Sequence, residues 1–251
     1  MAEAQSIINN AETRNKMHND VINLMNHLDI ELKEFYAPYF PDSDSLDVFI
    51  NRVFKFDWDE RKPRRMLFQV QRFVTLATDI NKIRPARDGL RVLFLKCCME
   101  SLAKLSNLEP KSFYDVFASS FSSKGKEYLL ESFSLAYIDH SENEISIRSQ
   151  QELIIDDILL IIKAMRDMVV HDGNYWEMQL FAYDDDSTWL TTIETNDQLL
   201  SKKTYKNETK QLVTYHFQTT MQYENFRYHF VQACINFINN YMDNKTSESR
   251  S

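Results

Sequence analysis

Residues 86–106, ARDGLRVLFLKCCMESLAKLS, carry apolar side chains on nearly every side of a helix. Such a helix cannot lie on a surface with one face in water, so the run predicts a central helix surrounded by others. The punctuation of the chain agrees with this. Only 3 glycines and 5 prolines interrupt 251 residues, a scarcity that favours long helices over many tight turns. At 43% apolar residues the chain has material for a real core, as one large domain or one domain with an elaborated end.

Apolar spacing predicts one or two helices over 3–35, then short helices over 45–56, 110–121 and 124–137. Longer helices are expected from Pro63 onward, over 86–106 and over 149–171, and a last one over about 220–242 ahead of a frayed tail. Residues 138–148 read as a polar loop. After residue 174 the texture changes. Residues 176–183, 189–195 and 212–219 alternate β-branched or aromatic residues with polar ones, which predicts a small antiparallel sheet. Residues 184–187 would form its first turn and 196–210 a polar loop. The expected fold is mainly α, with an N-terminal helical extension over 1–84 and a helical domain over 85–251 that takes in the β element at about 176–219.

No apolar run reaches the roughly 20 residues of a membrane span, and MAEAQSIINNAETRNK lacks the basic start and apolar stretch of a secretory signal. The expectation is a cytoplasmic protein with no membrane partner. Cys97, Cys98 and Cys234 make neither a disulfide framework nor a metal spacing, so reduced thiols are expected. The formal net charge is -8, yet residues 52–104 hold 13 Lys/Arg against 6 Asp/Glu. That asymmetry describes either a basic face on an acidic body or segments that pair with each other across helices.

The chemistry concentrates in Arg166-Asp167-Met168-Val169-Val170-His171, at the end of the apolar run 149–171 and just before Asp172-Gly173-Asn174. RNA supplies its own nucleophile, the 2′-hydroxyl, so cleavage without a metal needs only a proton-transfer group and a fixed cation. Histidine suits the first task. Arginine suits the second, because its planar fork holds a phosphate and stabilises charge building on phosphorus. A helix C-terminus with Asp167 and Asp172 nearby favours a protonated His171. Five residues on an ideal helix separate the pair by roughly 140°. One helix therefore offers one arginine and one histidine on different sides, and two copies across a two-fold axis would surround a single phosphate. The competing structural reading is that both side chains only bind the last carbonyls of their helix or a neighbouring carboxylate.

This hexapeptide resembles the signature of the HEPN superfamily (higher eukaryote and prokaryote nucleotide-binding domain): an arginine, a polar residue, a few variable residues and a histidine near the end of a long helix. Asp172-Gly173 resembles the His-x-Gly ending of many bacterial members. The run from Arg87-Asp88-Gly89 to Glu100-Ser101-Leu102 is similar to the long first core helix of such domains. The resemblance covers about residues 85–175; residues 1–84 match no family signature. It implies a four- to five-helix bundle, homodimerisation through the motif helices and, in many members, metal-independent endoribonuclease activity in toxin–antitoxin or anti-phage systems. By position, Arg166 and His171 would be catalytic and Asp167 supporting. Where members paired with a nucleotidyltransferase antitoxin often carry a tyrosine two residues after the histidine, this chain has Gly173. The expected partners are an RNA substrate, a second copy of the chain and an antitoxin or regulatory protein, with no cofactor and no metal. The alternative is a catalytically silent HEPN-like module that binds a nucleotide or a partner protein.

Other residues invite weighing. Glu100, inside the apolar helix, either pairs with Arg166 and orients it or faces solvent. Three- and four-residue spacing aligns Arg84, Arg87 and Arg91 on one helix side, although a helix that begins at Pro85 would leave Arg84 out; they read either as an RNA-backbone contact or as a solvated or salt-bridged face. Arg61-Lys62-Pro63-Arg64-Arg65 is a second basic knot with the same two readings. His18, His27, His216 and His229 have no metal-ligand spacing. Tyr175, Trp176 and Trp189 either stack bases or pack on the bundle. No glycine-rich phosphate loop, HExxH or nucleophile elbow is present.

Overall fold

Helix starts in this chain are set by short polar residues and prolines. Asp42 Oδ1 accepts from both the Ser45 N–H and the Ser45 hydroxyl at 2.7 Å, which satisfies donors that the first turn leaves unpaired and draws the Asp42 carboxyl below its usual range. The computed structural model describes residues 30–56, 61–85, 87–140, 144–146, 154–171, 180–182, 189–196 and 212–248, a few of them by backbone alone. The expectations for residues 1–29, including His18 and His27, lie outside the described residues, as do those for 172–179 and 197–211.

The chain divides into two compact units, Met1–Val53 and Phe54–Ser251. In the first, a helical segment over 30–36 leads through a 3-10 turn, Ala37–Tyr39, into α1, Ser43–Lys55, which runs to the boundary. Leu32, Tyr36, Phe49, Ile50 and Val53 are buried. The Tyr36 and Phe40 rings lie 6.3 and 5.3 Å from that of Phe49, and Lys33 meets Asp47 at 2.9 Å.

The second unit is mainly helical: α2 (Lys62–Ile83), α3 (Asp88–Ser106), α4 (Pro110–Ser120), α5 (Ser123–Glu131), α6 (Ile155–His171) and α7 (Tyr223–Glu248). Helix α3 is central, with α2 along one side and α6 along another, and α7 packs on α2 and α4. Val92, Leu95, Met99 and Leu102 of α3 meet no solvent, nor do Met66, Leu67, Val70 and Val74 of α2. The contacts between α2 and α3 explain why the unit boundary falls at Val53/Phe54 and not at residues 84/85. Helix α2, expected with the N-terminal extension, belongs to the larger unit.

A four-stranded antiparallel sheet in the order β2-β1-β4-β3 accompanies the helices. It uses β1 (Phe133–His140), β2 (Glu144–Ser146), β3 (Trp189–Asn196) and β4 (Leu212–Thr219). Phe133 pairs with Thr219, and Trp189 pairs with the same residue from the other side. Four expectations are corrected here. The helix over 124–137 stops at Glu131, because residues 133–140 pair with β4. In that segment a short apolar run fits period 2 as well as period 3.6, and only the partner strand decides between them. Residues 138–148 are then not simply a loop. Leu180, Phe181 and Ala182, expected in a strand, are held by other bonds: the Ala182 N–H reaches the Met221 carbonyl at 2.8 Å. The C-terminal tail also continues as helix to Glu248, with the hydroxyls of Thr246 and Ser247 bonded back to the carbonyls of Met242 and Asp243.

Aromatic residues join α4 to α7. The Phe117 ring stacks on Phe113 at 5.4 Å and meets Phe121, Phe230 and Phe237 at 5.7, 5.7 and 6.0 Å. Phe117 is wholly buried, so Phe117→Ala should cost about 3–5 kcal/mol of stability through lost transfer energy and an uncollapsed cavity. Urea unfolding measures it; a loss below about 1 kcal/mol would mean that the site repacks. Cys98 of α3 and Cys234 of α7 are both buried. Burial first, and then the neighbouring Cys98 thiol, push the Cys234 thiol well above its usual range, the setting of an unreactive cysteine.

Candidate functional site

A helix packed on all sides buries its polar residues with its apolar ones, and each must then find a partner. Two groups of polar side chains lie along α3.

The first lies where α3 faces α6. Arg166 Nη2 is 3.3 Å from Glu100 Oε1 and 3.5 Å from Oε2. Glu100 thus meets Arg166 while remaining substantially exposed, its side chain at 43% against 24% for Arg166. Four residues before Glu100, one turn back on the same helix, Lys96 Nζ lies 3.5 Å from the same Oε1. Lys96 is buried, with its side chain 7% exposed. Its ammonium also makes a close contact with the Tyr114 hydroxyl of α4 and sits 4.8 Å from the centre of that ring. Burial lowers the Lys96 pKa from the usual lysine value, Glu100 acts in the opposite direction, and the charges of Arg166 and Lys163 add to the lowering. Beside them, burial and the Glu100 charge push the Cys97 thiol up.

His171 is the last residue of α6. The helix is continuous from Arg166 to His171, so the angular separation of roughly 140° expected for an ideal helix is retained along the backbone. The side chains of Asp167 and His171 lie outside the described residues, as do Asp172, Gly173, Tyr175 and Trp176.

The second group lies at the N-terminal end of α3. Asp88 is fully buried, and its Oδ2 accepts from the backbone N–H groups of Leu180 and Phe181, both at 3.0 Å. Its Oδ1 lies 3.6 Å from Arg91 Nη1. The Arg91 guanidinium stacks over the Tyr223 ring at 4.0 Å, and the Tyr223 hydroxyl is 3.0 Å from Thr78 Oγ1. Burial raises the Asp88 carboxyl against the opposing pull of the two N–H groups and Arg91. It also pushes the Tyr223 phenol up to about 12.

These positions separate the basic residues that the sequence placed together. Helix α3 begins at Asp88, not at Pro85. Arg84 is therefore the exposed C-cap of α2, Arg87 is the N-cap of α3, and Arg91 is buried against Asp88 and Tyr223. The three do not lie on one helix, and Arg91 is engaged in an internal ion pair while Arg84 is exposed. The knot at 61–65 is likewise partly internal. Lys62 is buried, and Arg64 donates to the Phe54 carbonyl at 2.8 Å with its guanidinium 4.3 Å from the Phe54 ring. His229 packs on Tyr128 with ring centres 5.1 Å apart and is shifted down by burial. Among the described residues no cluster of His, Cys, Asp and Glu could hold a metal, and no helix is long and apolar enough to cross a membrane.

Lys96 and Tyr114 escaped notice in the sequence. The signal for Lys96 was present, since a lysine one turn before a glutamate inside an apolar helix predicts a buried partner for both. Tyr114, on another helix, left none. No protein-family model, curated protein or solved structure matches the chain.

Proposed function

We propose that the chain is a metal-independent endoribonuclease of the HEPN type, acting at a site completed by two copies and serving in a toxin–antitoxin or anti-phage system in the cytoplasm. The observation that supports this reading most directly is the placement of Arg166. Its guanidinium is held by Glu100 on a neighbouring helix, partly open to solvent, five residues before a histidine that ends the same helix. In the proposed reaction His171 takes the proton of a 2′-hydroxyl, and the oxygen attacks the adjacent phosphorus. The 5′-oxygen leaves with a proton supplied by the second copy's histidine. The products are a 2′,3′-cyclic phosphate and a 5′-hydroxyl. Arg166 holds the phosphate and stabilises the charge that builds on its oxygens. Asp167 and Glu100 would support the pair.

The test is cleavage of RNA in EDTA by the wild type, Arg166→Ala and His171→Ala. Loss of cutting in both folded variants supports the assignment, and equal cutting by all three proteins overturns it. No cutting by any would favour the catalytically silent module that binds a nucleotide or a partner protein.

A further inference from the structure

Glu100 carries one negative charge and meets two cations at one oxygen. Oε1 is 3.3 Å from Arg166 Nη2 and 3.5 Å from Lys96 Nζ. The two cations differ in freedom. Lys96 is buried and braced by Tyr114, so it stays where it is whatever binds outside. Arg166 is partly open to solvent, its side chain 24% exposed, beside the more exposed Glu100. A carboxylate shared between two cations neutralises each less than a carboxylate devoted to one.

We propose that Lys96 is a positioning residue for the anion site at Arg166: by holding Oε1 of Glu100, it limits how far that acid neutralises the guanidinium, which is thereby kept receptive to a phosphate of an RNA chain. The inference rests on the nuclease reading for the identity of the anion, and on the observed geometry for the rest. Lys96 touches no substrate and acts only through Glu100. Without Lys96 the whole charge of Glu100 falls on Arg166, and the guanidinium becomes a poorer phosphate ligand.

The experiment uses the full chain and three variants, Lys96→Met, Glu100→Gln and the double substitution. Methionine has nearly the shape of lysine and carries no charge, so the buried site keeps its packing; thermal melts verify it. Binding is read by fluorescence anisotropy of a 2′-O-methyl oligoribonucleotide, which cannot be cut, in EDTA at fixed salt. Lys96→Met should weaken binding about tenfold and lower kcat/KM for cleavable RNA by at least as much, because the same guanidinium holds the phosphate in the ground state and in the transition state. Adding Glu100→Gln should restore affinity to within about twofold of Glu100→Gln alone, since the charge that Lys96 restrains is then gone. A second readout needs no nuclease activity: the rate at which phenylglyoxal modifies Arg166, followed by mass spectrometry, should fall in Lys96→Met and recover in the double variant. An unchanged modification rate in Lys96→Met overturns the proposal, as does a loss of affinity that Glu100→Gln fails to reverse. If the modification rates follow the expected pattern but the wild type neither binds nor cuts RNA, the positioning role stands and the nuclease reading falls.

Discussion

Asp88→Ala is expected to destabilise the larger unit by about 3–5 kcal/mol, the usual range when one member of a buried, hydrogen-bonded ion pair is removed. The substitution strands two kinds of group at once. The Leu180 and Phe181 N–H groups lose their acceptor, and a buried donor without a partner bears its full desolvation cost. The Arg91 guanidinium, its side chain only 9% exposed, loses its carboxylate and keeps the Tyr223 and Phe181 rings, neither of which carries a countercharge. Urea denaturation followed by far-UV circular dichroism measures the change, and a loss under about 1 kcal/mol would show that the Asp88 cluster is replaceable. Asp88→Asn separates charge from hydrogen bonding, because the amide oxygen still accepts from the two N–H groups. Burial holds the native carboxyl above its unfolded value of 3.8. Between those two values the native state binds more protons than the unfolded state, so this group's contribution to stability falls as pH rises. It is fully present below the unfolded value and lost once the pH passes the native one. The wild type should therefore lose stability relative to Asp88→Asn as pH rises through that window. A difference between the two that stays constant with pH would contradict the raised carboxyl.

His171→Ala is expected to lower the rate of RNA cleavage by about 10²–10⁴-fold, the range for losing a general acid–base group. Arg166→Ala should cost about 10²–10³-fold, the range for losing one fixed donor to a developing oxyanion. Single-turnover cleavage in EDTA reads both. A substrate with a 2′-deoxy sugar at the scissile position should not be cut by any variant, since the nucleophile belongs to the RNA. Cleavage of that deoxy substrate would exclude the cyclic-phosphate route. Stability should not follow activity in the Arg166 variant. Removing Arg166 takes away a partly exposed partner of Glu100, which retains Lys96, whereas removing Asp88 empties a site inside the core.

How much of this was legible beforehand depended on the range of the interaction. The central position of residues 88–106 could be read because a helix apolar on all sides has no other place to go. The ends of α4 and α6, at Pro110 and near His171, could be read from local residues. The division of the chain could not, because whether α2 belongs with the N-terminal segment or with α3 depends on which surface it covers. The strand at 133–140 was hidden for the same reason, since its register exists only against 212–219. Within the candidate site, the position of Arg166 near the end of a long helix was legible from local pattern, and Glu100 as an acid in need of a partner. The fate of Arg91 was not. Its spacing from Arg87 left an RNA contact and a salt-bridged face both open, and only the tertiary structure set its guanidinium against Asp88 and the Tyr223 ring.

By itself the sequence determined that this chain builds long helices around one apolar helix, and that an arginine and a histidine close the helix 155–171. Periodicity, caps and chemical type are local properties, and no partner is needed to read them. The tertiary structure alone decided which charges are compensated. Asp88 reaches across 92 residues to Leu180, and Lys96 meets Tyr114 from another helix. Arg166 shares its acid with a buried amine 70 positions earlier in the chain. Electrostatic energy depends on distances of a few ångströms and on burial, and neither quantity is written in the spacing of residues along the chain.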